Sequence, residues 1–202
     1  PTVLWGAIPW PHLPLPAGGD PGSAARQLLD ALALSVPARV ELRPEPGWEE
    51  ALAVLAEDGA EEVALRCGPA DPGRPGGPGW PPVELARALR SVVDRGLTVR
   101  VLGVRTAVGA AAGERGPDGA PSTVGALNLL CAVRAALNGA ESAELADVVA
   151  ETSAAPLAAA ARRMSDPDAA VVRAFLTSVA AVDVPAVVAE LVGLGLVTAS
   201  AD

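Results

Sequence analysis

Lysine and tyrosine are missing from this chain, and histidine, methionine and phenylalanine each occur once, as His12, Met164 and Phe175. All fifteen basic residues are therefore arginines. These absences remove most side chains that shuttle protons near neutral pH, and no catalytic residue is assigned. Two cysteines, Cys67 and Cys131, are too few for a disulfide framework. With one distant histidine they do not form the paired ligands of a zinc site, so neither a metal nor a cofactor is expected. No apolar run approaches the roughly 20 residues that span a bilayer. The opening PTVLWGAIPW lacks the basic region of a signal peptide, and a cytoplasmic location is the expectation. A net charge of −9 disfavours nucleic acid and anionic membranes as partners, because both need a basic surface.

What is present is a chain of 202 residues, half of them apolar, enough for one core. A single domain over residues 1–202 is expected, helix-rich from about residue 122. The apolar run Val3–Ile8 and the segments 39–42, 62–67, 97–102 and 175–182 read as strands, short and rich in Val and Leu. Helical periodicity covers 24–34, opened by Ser23, and 48–57. It covers 83–95 with Val83, Leu85, Ala86, Leu89, Val92 and Val93 inward. It also covers a stretch opened by Ser122 or Thr123 and ending near Leu137, then 141–151, 154–163, 167–174 and 184–194. Loops rich in Pro and Gly separate these elements at 9–22, 68–82 and 103–121. Strands alternating with helices predict an α/β fold: a parallel sheet with flanking helices, read as a partial or degenerate (β/α)-barrel. The alternative is an open doubly wound sheet.

Order and spacing also carry a resemblance. VELRP, with Glu41, ends a strand. ALRCGP stands where a KLRTGG-type strand would, VRVLGVRTA where KATAGLHHP would, and VGALNLL where HGFLNLL would. SVAAVDVPAVVAELVGLGLV aligns without a gap to SFGTCSxxEPVEDLVALGLL. Over about residues 39–198 the chain resembles a family of bacterial, mainly actinobacterial, (β/α)-barrel-like proteins of uncharacterised function. The family's lysines fall on Ala64 and Val99, its paired histidines on Arg105 and Thr106, and its helix-opening histidine on Val124. Its small polar cluster falls on Ala180, Ala181 and Val182. Glu41, Arg66, Gly68, Gly103, Gly125 and Asn128 keep the pattern. The resemblance therefore implies a member with a degenerate active site.

Individual residues sharpen this. GPADPGRP at 68–75 has Walker A spacing, but Arg74 and Pro75 replace its Lys and Ser/Thr, and its prolines remove cradling N–H groups. His12 lies in PWPHLPLP, read as a polyproline II loop whose PxxP match is cheap in a chain with 20 prolines. Alternation sets Glu41 and Arg66 apart from their apolar strand neighbours, so adjacent parallel strands would let them meet. The pair reads as a buried structural ion pair or as one wall of a pocket at the strand ends. Cys67 follows a strand and reads as a small core filler, or as a nucleophile if Arg66 or Arg105 lowers its pKa. Asn128, among leucines, needs hydrogen-bond partners and reads as a loop tie or a pocket wall. Cys131 reads as core, and Trp5, Trp10, Trp48 and Trp80 as hydrophobic caps.

Three functions follow as expectations. The first is a non-catalytic, barrel-like subunit acting in protein–protein assembly. The second is a protein or enzyme for a small carboxylate or phosphate, held by Arg66 and Arg105 with Glu41, Cys67 and Asn128 nearby. The third is a lyase or aldolase using Glu41 or Asp183 as base. Five strands cannot close a barrel, so association with itself or another chain is expected, through helices after residue 123.

Overall fold

The computed structural model describes residues 12–15, 19–33, 39–68, 79–109 and 124–198. In chain order the elements are β1 (His12–Pro14), α1 (Pro21–Ala33), β2 (Arg39–Leu42), α2 (Trp48–Glu57), β3 (Glu62–Arg66), α3 (Pro82–Asp94) and β4 (Thr98–Val104). Then follow α4 (Ala126–Leu137), α5 (Ser142–Ala150), α6 (Ala154–Arg162), α7 (Asp166–Phe175), β5 (Leu176–Ala181) and α8 (Val184–Gly193). The fold is α/β, a parallel sheet flanked by helices, as expected.

The sheet runs β1-β2-β3-β4-β5, and every neighbouring pair is parallel. The order never reverses, so the switch point of a doubly wound sheet is absent among the described residues, and that alternative is set aside. Among the described residues β1 and β5 stand at the two ends of the order, and no strand closes the sheet. One face supplies Val40, Leu42, Val63, Leu65, Val99 and Val101 to the main core, where they meet Leu52, Leu55, Leu85, Leu89, Leu129 and Val133 of the helices. Strand alternation sends Glu41, Arg66 and Arg100 to the opposite face.

Several expectations need correction. The segment His12–Pro14 is an edge strand paired with β2 instead of a polyproline loop, and an edge position is where proline is tolerated. Asp20, not Ser23, opens α1: its carboxylate accepts the Ser23 N–H at 2.7 Å. Neither Ser122 nor Thr123 opens the next long helix. α4 starts at Ala126 behind Gly125, and its first N–H groups are taken by backbone carbonyls, Ala126 N to Thr106 O and Leu127 N to Ala107 O. Val83, in the first turn of α3, is 60% exposed. The run Val3–Ile8, Trp5, Trp10 and most of GPADPGRP lie outside the described residues.

Trp48 and Trp80 do cap the core. Their rings meet edge to face at 5.2 Å, and the Trp80 indole donates to Leu42 O at 3.2 Å. Among the described residues no helix is long and apolar enough to cross a membrane.

Candidate functional site

Glu41 and Arg66 meet. Arg66 Nε donates to Glu41 Oε1 and the second guanidinium arm donates to Oε2, both at 2.8 Å. The β2–β3 register sets Glu41 beside Ala64, so Arg66 stands one same-face position further along the neighbouring strand. Glu41 is only 3% exposed, and Arg43 approaches it at 4.0 Å.

The same diagonal recurs one strand on. Glu62 stands beside Thr98 in the β3–β4 register, and Arg100, two residues past Thr98, lies 3.8 Å from the Glu62 carboxylate. The Thr177 hydroxyl of β5 also donates to Glu62. The sheet face opposite the main core thus carries a stepped ladder of acid–base pairs across β2, β3 and β4. Sequence reasoning missed its second rung, although Arg100 alternates with Val99 and Val101 as Arg66 does with Leu65. A bidentate arginine–carboxylate pair adds geometric specificity as well as energy. The ladder stitches strands together more than it presents free groups to a ligand.

The other candidates do not join it. Cys67 is buried in the main core, its N–H bonded to Leu102 O at 2.8 Å. Burial pushes its thiol up to about 12, so the nucleophile reading is replaced by the filler reading. Arg105, just past β4, is exposed, and among the described residues Glu41 and Arg66 pair with each other and not with it. Asn128 is fully buried at the start of α4 and acts as a tie. Its Oδ1 accepts Gly109 N–H at 2.8 Å, and its Nδ2 donates to Val148 O at 3.0 Å and Glu151 O at 2.7 Å. Asp183 caps α8 by accepting Ala186 N–H at 3.0 Å. Among the described residues no group of three His, Cys, Asp or Glu is placed to hold a metal.

The glycines here are packing devices. A Cβ on Gly68 would sit 2.1 Å from Gly103 O, and one on Gly125 would sit 2.4 Å from the Val108 carbonyl carbon. Only glycine lets the ends of β3 and β4 approach so closely, and Gly103 adopts a positive φ of 78° where the β4–β5 register shifts.

A scan of protein-family models, a search of curated proteins and a search of solved structures find no match to the chain. The functional reading therefore rests on this geometry.

Proposed function

We propose that the chain is a non-catalytic, barrel-like subunit that works by association, with a second copy of itself as the simplest partner. The carrying observation is α8. Its sequence VPAVVAELVG is apolar almost all round, yet Val187 is its one buried residue. Val184 and Val188 are 57% and 42% exposed, and Val182 just before the helix is 50% exposed. A helix apolar on every side is normally covered. Its single charged residue, Glu190, accepts the Ala107 N–H at 2.6 Å while remaining exposed. The outer surface of α8 thus presents valines beside the exposed carboxylates of Asp183 and Glu190. This surface falls where the sequence placed the interface, after residue 123.

The residues that keep the family pattern support the same reading. Glu41 and Arg66 hold each other, Gly68 and Gly103 allow a backbone approach, Gly125 fits against Val108, and Asn128 ties a loop. These are scaffold roles. The small-anion reading would need Arg66 released from Glu41 and Arg105 brought to it, and the lyase reading would need Glu41 unpaired.

Analytical ultracentrifugation over a micromolar concentration series tests the proposal. The chain is expected to dimerise, and Val184→Glu with Val188→Glu is expected to give a monomer with unchanged circular dichroism, since neither valine contributes to the core. A wild-type chain that stays monomeric throughout and binds no hydrophobic dye overturns it.

A further inference from the structure

A groove runs along α4 between α5 and α6, away from the charge ladder, and its floor residues Cys131 and Leu157 share a packed cluster with Leu191 of α8. Its cavity is about 510 Å³, within the range of small-ligand sites. Cys131 and Ala135 of α4 and Leu157 of α6 form an apolar floor and wall. On the opposite rim stand Asp147 and Glu151, four residues apart at the end of α5.

The electrostatics of that rim are one-sided. Carboxylates four residues apart on a helical path repel each other. They also sit at the negative end of the α5 dipole, where positive charge is favoured. Neither makes an ion pair among the described residues. Hydrogen bonds from the Ser153 backbone hold the Glu151 carboxyl below its ordinary value, so it is charged at neutral pH. Two basic groups lie near the floor: Arg134 is paired with Asp168 of α7 at 3.0 Å, and Arg163, beyond the end of α6, also acts on Cys131. Asn128 satisfies carbonyls at the end of α5 but brings no charge.

We propose that this groove binds a small organic cation with an apolar body, its ammonium group between Asp147 and Glu151 and its body against Cys131, Ala135 and Leu157. The acidic rim selects the charge, and the apolar floor selects against fully hydrated ions such as sodium. The site does not depend on the association proposed for α8.

Amide NMR titration of the full chain tests it, with hexylamine, hexanol and hexanoate as probes of equal length. Hexylammonium is expected to shift resonances of α4, α5 and α6 along the groove, binding about tenfold more tightly than hexanol, with hexanoate weakest. Asp147→Asn with Glu151→Gln is expected to bring hexylamine down to the hexanol level. Gln keeps an acceptor for the Ser153 N–H, so the α5–α6 corner is preserved. Absence of shifts at millimolar hexylamine, shifts away from the groove, equal binding of the three probes, or an unchanged amine preference in the double variant would each overturn the proposal.

Discussion

Arg66 grips Glu41 through both arms of its guanidinium, each at 2.8 Å, across the β2–β3 pair. Glu41 is almost wholly enclosed, whereas the Arg66 side chain is 17% exposed. The carboxylate is therefore the partner that depends on the pair. Removing one member of a buried pair strands the other charge, and that penalty exceeds the net worth of the pair.

Arg66→Ala should accordingly lower unfolding free energy by about 3 kcal/mol, with Arg43 limiting the loss. Glu41→Leu combined with Arg66→Leu should lie much closer to wild type. Urea denaturation measures both. A single variant as stable as the parent would show that the pair is incidental to the fold.

Asn128 offers a second test. Replacing it with Ala leaves Gly109 N–H and the Val148 and Glu151 carbonyls without their side-chain partner. Stability should fall by about 3 kcal/mol, since each unsatisfied buried group costs about 1–3 kcal/mol. Amide exchange at Gly109 should quicken before global unfolding. Unaltered protection there would mean that Ala126, Leu127 and Glu190 hold this loop without Asn128.

The buried thiol of Cys67 makes stability fall in alkali. Its pKa is raised from 9.0 to about 12, so the unfolded chain releases the proton first. Stability from this source is whole below pH 9.0 and declines as pH rises towards 12. The acid limb has the opposite sign. Asp168 is lowered from 3.8, first by the Ser165 hydroxyl hydrogen bond and then by Arg134, so its contribution is present above pH 3.8 and fades as pH falls through the lowered value. Thermal unfolding followed against pH should show both limbs. Cys67→Ala should flatten the alkaline one, and an unchanged slope in that variant would refute the assignment.

Much of the architecture was legible locally. The segment Trp48–Glu57 forms the helix that its periodicity announces, and Arg39–Leu42 the strand, because both patterns repeat within one element. The pairing of Glu41 with Arg66 was visible as soon as β2 and β3 were assumed adjacent, since alternation alone isolates each residue on its strand. Helix starts were less legible. Ser122 and Thr123 have capping chemistry, but α4 begins beyond them, where carbonyls of Thr106 and Ala107 satisfy its N–H groups. Partners so distant in sequence leave no local signal.

Composition and pattern by themselves determined the α/β class, the order of the elements from residue 39 onward, the poverty of acid–base groups and the burial of Cys131. Those properties depend on residue type and short-range periodicity. Tertiary structure alone decided that His12–Pro14 adds an edge strand, that Glu62 and Arg100 repeat the diagonal of Glu41 and Arg66, that Arg105 stands apart, and that α8 shows its apolar side to solvent. Each depends on strand register or on which neighbour covers a face, and those are set by contacts between residues far apart in the chain.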